Sequence, residues 1–283
     1  MPHLSIITVN LNNADGLRKT IESVVNQLYS DFEYIIIDGG STDGSVDVIR
    51  EYANKIYYWI SEPDSGIYNA MNKGIVKARG VYLQFLNSGD WFSNENTLQK
   101  VFSVGYNEDI LYGNANSVYE NGTSVLHYVG VEEESTLAYF YKKILYHQAS
   151  FFRKHLFFTG LYDENFRIVS DWKFFIDRIV IKNCSIKKID LVVINNDMNG
   201  ISCQPEYLNL HITEREKVIS QLLPDRISKD YKNLILFSDS PLIKYMPYLN
   251  KTTGFHILIA KIVGASIKIY KIFRSLSMCD TIL

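Results

Sequence analysis

Within the first 90 residues, a short apolar, β-branched run gives way four times to polar or acidic residues. Leu4–Val9 leads to Asn10 and Asn12, and Glu33–Asp38 ends on Asp38 itself. Ile56–Ile60 leads to Glu62 and Asp64, and Val81–Leu86 to Asn87, Ser88, Gly89 and Asp90. The stretches between them have helical spacing: Leu17, Ile21, Val24, Val25 and Leu28, then Val46, Ile49 and Ala53, then Ile67, Ala70, Met71, Gly74, Ile75 and Ala78. The small residues of the third helix predict close packing on a sheet. Strands joined by helices return to the sheet parallel and through right-handed crossovers. The expected fold is α/β, a doubly wound and mostly parallel sheet with helices on both faces. Ligands of such sheets bind beyond the carboxyl ends of the strands, and the polar groups collect at that rim.

The second half is less regular. Ile110–Tyr112 reads as a fifth strand, Ser117–Tyr128 as a hairpin closing at a two-residue Asn121–Gly122 turn, and His147–Phe152 and Leu191–Ile194 as strands. Ser170 is placed to cap a helix through Trp172, Phe175, Ile176 and Ile179, and Pro205–Leu223 reads as another helix. From Pro241 the chain turns basic and apolar. Lys261, Gly264, Lys268, Lys271 and Ser275 recur at helical spacing, with Ile, Val and Phe on the other faces. That pattern fits a helix lying on an anionic membrane surface, or one docked on the protein or on a second copy in a homo-oligomer.

Composition removes several classes. A net charge of −2 argues against a nucleic-acid binder with a broad basic face. Three cysteines without a CxxC pair point to a reducing compartment and to no thiolate zinc site. The start MPHLSIITVNLNN lacks a charged leader and reads as a strand, not a signal peptide, and no apolar run reaches the ~18 residues of a spanning helix. The expectation is a cytoplasmic protein, peripheral on a membrane at most. Gly39, Gly40 and Gly44 form neither a P-loop nor a dinucleotide fingerprint.

The segments SIITVNLNN, IIIDGGSTDGS, SEPDSGIYNAMNKGI and FLNSGD, in this order and spacing, resemble the inverting glycosyltransferases of family 2, with the GT-A fold. The likeness is greatest to bacterial enzymes building capsule, lipopolysaccharide or exopolysaccharide, and continues more loosely through HQASFF, FRIVSDW and NGIS. It implies a nucleotide-sugar donor half over residues 1–115 and an acceptor and catalytic-base half over 116–223. Residues 224–283 form a C-terminal helical tail.

The resemblance also distributes roles. Asp38 would accept the uracil imide N–H, with Thr8, Asn10 and Asp43 in the same donor group. Asp43 reads equally well as a helix cap. Asp64 falls at the rim, and Ser65 and Gly66 open a helix suited to phosphate or sugar oxygens. Asn72 and Lys73, two turns in, would border the donor sugar, although Lys73 also fits a solvated surface. Asn87, Ser88 and Asp90 stand where the family carries its D-x-D metal motif. Ser88 replaces the first acid, which leaves Asp90 as the one anionic ligand for Mg²⁺ or Mn²⁺.

Asp171 takes the place of the general base that removes the acceptor proton, with Ser170 replacing the first acid of a family pair. An acidic residue stabilising its helix dipole is the rival reading. His147 reads as a phosphate or acceptor contact, or as a core histidine, and Trp172 as an acceptor platform or as packing. The implied partners are a nucleotide-sugar donor, UDP-linked by preference, and a sugar on a lipid-diphosphate carrier. Two alternatives stand beside this reading. A sugar nucleotidyltransferase would need a Gly-rich, Arg-containing loop where VNLNNADG stands. A non-catalytic module would bind nucleotide sugars without turning them over.

Overall fold

The structure, a computed structural model, describes residues 1–198, 200, 204–238, 261 and 264. Residues 1–223 form one compact unit and residues 224–283 a second. The basic amphipathic tail expected over residues 255–276 lies outside the described residues except for Lys261 and Gly264, both helical. The second unit contains one described helix of length, Asp225–Ser238.

The first unit is built on one sheet of nine strands among the described residues. Four are the expected parallel strands: β1 (Leu4–Asn10), β2 (Phe32–Asp38), β3 (Tyr58–Ser61) and β4 (Tyr82–Phe85). The others are β5 (Trp91–Phe92), β6 (Ile110–Val118), β7 (Ser124–His127), β8 (Ser150–Arg153) and β9 (Ile186–Asp197). Strand order is β3-β2-β1-β4-β8-β6-β9-β5, with β7 paired to β6. β8 runs antiparallel to both β4 and β6, so β6 and its parallel partner β9 point the same way as β1–β4. The carboxyl ends of six strands therefore share one rim.

Alternation along β1 divides the core between two faces. Ile7 and Val9 pack with Tyr68, Met71 and Ile75 of α3 (Ile67–Lys77). Leu4 and Ile6 pack on the other face with Leu17, Ile21 and Val24 of α1 (Ala14–Val25). Each fully buried Leu or Ile contributes about 1.5–3 kcal/mol. A Cβ at Gly74 would fall 2.4 Å from Ile7 Cγ2, so the glycine is what lets α3 lie this close to β1. Leu28, expected on the α1 face, lies past the Asn26 C-cap and is exposed. Two further helices complete this part, α2 (Ser45–Glu51) and α4 (Thr97–Phe102).

The second half departs from expectation at several points. The hairpin between β6 and β7 closes through residues 119–123, not through a two-residue turn. A two-residue type I′ turn needs positive φ at both central residues, and here Gly122 has φ +78° while Asn121 does not. Over His147–Phe152, the first three residues form a 3₁₀ turn and only Ser150 onward joins the sheet. After α5 (Leu137–Lys142) and β8 comes α6 (Ser170–Phe175), which continues as a π-helical turn over Ile176–Ile181. Ser170 is not its cap. Its Oγ accepts the Asp163 N–H at 2.6 Å, so Val169 takes the cap position. The Pro205–Leu223 helix opens as a 3₁₀ turn before α7 (Leu208–Leu222).

Candidate functional site

The rim begins with Asp38, the last residue of β2, which is fully buried. Its Oδ1 accepts Asn10 Nδ2–H at 2.7 Å and the Ser41 hydroxyl at 2.6 Å, while Oδ2 accepts the Ser41 N–H at 2.9 Å and the Ser61 hydroxyl at 2.6 Å. Burial works to raise its pKa, but these bonds hold the carboxyl below its usual value. Asn10 Oδ1 is left buried without a partner, an acceptor facing the same corner. Thr8, two residues back, lies inside the core with its hydroxyl 3.0 Å from Tyr34 Oη, away from the rim group. Asp43 accepts the N–H groups of Ala14 (2.8 Å) and Ser45 (3.1 Å) and the Ser45 hydroxyl (2.6 Å), joining the loop after β1 to the start of α2.

Asp64 accepts the Gly66 N–H at 2.9 Å just before α3. Lys73 pairs with Glu62 at 2.7 Å and donates to the Pro63 carbonyl, tying α3 to the loop after β3. Asn72 is buried and brackets a later segment. Its Nδ2 donates to Tyr162 O and Glu164 Oε1, and its Oδ1 accepts the Tyr162 N–H at 3.0 Å. Both residues act here as ties between elements.

The loop after β4 is clamped by Thr20 of α1. The Thr20 hydroxyl donates to Asp90 O at 2.7 Å and accepts the Gly89 N–H at 2.9 Å. Asn13 Nδ2 donates to the Ser88 carbonyl at 3.2 Å. Asp90 is buried, and its Oδ1 accepts the Asp197 N–H at 2.9 Å. Burial pushes the Asp90 carboxyl up to about 7, and the nearby Asp197 carboxylate adds to the rise. Lys19, whose ammonium lies over the Trp91 ring at 3.0 Å, is held below its ordinary value by burial while Asp197 and Asp90 pull it back. Among the described residues no three metal-binding side chains converge. The protein's contribution is two neighbouring carboxylates with the Lys19 ammonium close to both. That donor set fits a hard divalent ion that takes its remaining oxygens from phosphate and water.

Asp171, at the start of α6, approaches the rim from the other half of the chain. Its Oδ2 lies 2.8 Å from His147 Nδ1, and its Oδ1 accepts the Tyr68 hydroxyl at 2.8 Å. Tyr68 also donates toward the Ile168 carbonyl at 2.6 Å, so its one proton is shared. His147 is buried, with Nε2 3.4 Å from Asn87 Nδ2. With Nδ1 protonated, His147 donates to Asp171 and accepts from Asn87, and Asn87 Oδ1 remains buried without a partner. A continuous chain of groups thus runs from Asn87 at the end of β4, through His147, to Asp171 and Tyr68. Burial works to raise the Asp171 pKa, and His147 and Tyr68 together hold it below the usual carboxylate value. Trp172 is buried, and its indole N–H donates to Phe140 O at 2.7 Å. Its environment is packing.

Three contributors were missed in the sequence: Asp197, Lys19 and Tyr68. Asp197 ends a strand, as Asp38 does, but β9 runs three residues past the Ile194 end expected for it. Tyr68 was one tyrosine among 20. Its spacing of four from Asn72, in a helix opening at the rim, was the available signal.

Residues 5–159 match glycosyl transferase family 2. A Mycobacterium tuberculosis protein described as an uncharacterized glycosyltransferase is 34% identical over 214 residues, covering 72% of this chain and 79% of its own. A PGL/p-HBAD biosynthesis glycosyltransferase of Mycobacterium bovis is 34% identical over 180 residues, 61% of this chain and 68% of its own. Among solved structures, S. aureus TarS 1-349 in complex with UDP-GlcNAc superposes with a TM-score of 0.62 at 18% identity, covering 90% of this chain and 80% of that one. The Pyrobaculum calidifontis mannosyltransferase PcManGT, in complex with GDP-Man and Mn²⁺, gives 0.58 at 15% identity, covering 97% and 82%. These last two show the fold, a GT-A-type α/β domain. A rim of strand ends opposed by a carboxylate from the far half, in a chain matched over more than half its length, makes this protein a glycosyltransferase of family 2.

Proposed function

We propose that the protein transfers a sugar from a nucleoside diphosphate donor, UDP-linked by preference, to an acceptor hydroxyl with inversion at the anomeric carbon. The observation that carries this reading is the position of Asp171. Its pKa is held below the usual carboxylate value, it is half-buried, among the described residues it has no Lys or Arg ion pair, and it is joined through His147 to the loop after β4. The other acids nearby are already engaged: Asp163 with Lys173, Glu164 with Asn69 and Asn72, Asp177 with Arg178 and Lys182. Asp171 is held instead by a hydroxyl and an imidazole, and it is the carboxylate we assign to take the proton.

In the proposed reaction, residues 1–115 hold the donor and residues 116–223 the acceptor. Asp38 receives the uracil imide N–H, with the Ser41 hydroxyl as the partner that yields. Asn10, Asp43 and Asp64 keep the surrounding loops in place, with Thr8 behind them in the core. Asn72 and Lys73 fix α3 beside the sugar, while Asn87 and Ser88 line the diphosphate. Asp90 and Asp197 would hold Mg²⁺ or Mn²⁺, which would supply neutralisation of the charge that develops on the leaving diphosphate. Asp171 takes the acceptor O–H proton as the oxygen bonds to the anomeric carbon. The bond from that carbon to the diphosphate breaks, and its electron pair leaves with the nucleotide. The UDP-GlcNAc complex of TarS and the Mn²⁺ complex of PcManGT support the donor and metal classes. The relative named for PGL/p-HBAD biosynthesis supports assembly of bacterial surface glycoconjugates as the setting.

The test is to find the donor by nucleotide-sugar stabilisation of the fold and then to follow transfer by NMR. An α-linked donor should give a β-linked product. A product with retained configuration would remove the single-displacement account.

A further inference from the structure

A guanidinium carries five N–H donors in a fixed fork, and most arginines here find acceptors for them. Arg18 makes a two-pronged contact with Glu51, and Arg178 bonds Asp177 and the Gly160 carbonyl. Arg215 on α7 is different. Its one hydrogen bond among the described residues is a long one, Nη1 to Tyr141 O at 3.5 Å, and it has no carboxylate partner there, whereas Arg178, whose Nε is likewise buried without a partner, is paired with Asp177. Its guanidinium lies 4.8 Å from the centre of the Trp172 ring, one residue from Asp171. Burial lowers its proton affinity, and Asp171, then Tyr141, pull it back up. His211, one turn earlier on the same helix, feels the same surroundings. Burial and then Arg215 lower its pKa, while Asp171 and Glu214 raise it.

A half-buried cation with open donors and no ion pair among the described residues, beside the carboxylate proposed as the base, is an incomplete arrangement. We propose that Arg215 and His211 form a subsite for a phosphate group carried by the acceptor, which places the acceptor hydroxyl at Asp171. This inference rests on the reading of Asp171 as the base. The guanidinium fork and an imidazole from the next turn can address separate oxygens of one tetrahedral group. The positive charge also screens the acceptor's phosphate from the Asp171 carboxylate, so a phosphorylated acceptor can approach an anionic base.

Full-length protein saturated with UDP and Mg²⁺ is titrated with inorganic phosphate and, separately, with acetate, following binding by calorimetry. Phosphate should bind and acetate should not compete with it. Arg215→Gln should weaken phosphate binding at least ~10-fold, the cost of one charge-assisted hydrogen bond. Arg215→Lys should recover part of the loss, and both variants should keep the wild-type UDP affinity. Unchanged phosphate binding in Arg215→Gln overturns the proposal, as does equal binding of acetate. A fallen melting temperature in Arg215→Gln with phosphate binding intact in Arg215→Lys and His211→Gln together would reduce Arg215 to packing and overturn it too. If UDP itself fails to bind, the donor reading falls. The phosphate titration of wild type and Arg215→Gln without nucleotide then still decides the subsite.

Discussion

Asp171 owes its state to two neighbours that do no chemistry themselves. The Tyr68 hydroxyl and His147 Nδ1 each sit 2.8 Å from one of its oxygens, and their bonds outweigh the burial that would otherwise keep the acid protonated. The titratable groups that interact with it are the neutral phenols of Tyr68 and Tyr162, His147, and His211 and Arg215 from α7. A depressed carboxyl pKa means that the base is ready above that pKa, and that activity is lost only as pH falls through it, below the usual carboxylate range. Tyr68→Phe removes one lowering bond. The acid limb of the pH–rate profile should therefore move to higher pH, with donor KM unchanged. An unmoved limb with a uniformly lower rate would make Tyr68 structural. At the other end of the chain of groups, Asp90→Ala and Asp197→Ala should each weaken UDP binding in Mg²⁺ and leave it similar to wild type in EDTA. Equal affinities in both conditions would remove the metal. Asp38 and Asp90 were legible in the sequence because a short strand announces its own end. Asp197 was not, because β9 bends through irregular pairing with β6 before reaching the rim.

At the scale of elements, α3 does two jobs on two sides. Met71, Gly74 and Ile75 bury one side against the sheet, while Tyr68 and Asn72, a turn apart, reach across to the later half. Asn72→Ala would leave the Tyr162 N–H and C=O without their partner and free Glu164 from one of its two amides. Leaving buried polar groups unpaired costs about 1–3 kcal/mol, so the melting temperature should drop by several degrees, at ~2–4 °C per kcal/mol for a domain of this size. A drop under one degree would show that the 162–164 segment is held by other contacts. The parallel strands and their helices were readable because β1, β2 and β4 are short, largely apolar and buried along almost their whole length, with helical spacing between them. The antiparallel β5, β7 and β8 were harder. β5 has two residues, β7 is largely exposed, and β8 starts only after a 3₁₀ turn that shares its apolar pattern.

At the scale of the whole chain, the first unit brings a rim of strand ends together with the Asp171 carboxylate at the start of α6. Among the described residues no helix is long and apolar enough to cross a membrane. The basic, apolar sequence of residues 255–276 still predicts that the full-length protein binds anionic vesicles at low salt and leaves them as salt rises, which co-sedimentation would read. Indifference to such vesicles at low salt would exclude that role. What most directly tests the central claim is Asp171→Asn, with UDP affinity, melting temperature and transfer rate measured on the same preparation. Asn keeps the size and an acceptor oxygen but cannot take a proton. The account predicts wild-type UDP affinity, an intact fold and transfer reduced at least ~10²-fold, the lower end of a positioned general base. Near-normal transfer would contradict it and leave Asp171 a helix-start acid whose loss costs at most about 1 kcal/mol of stability.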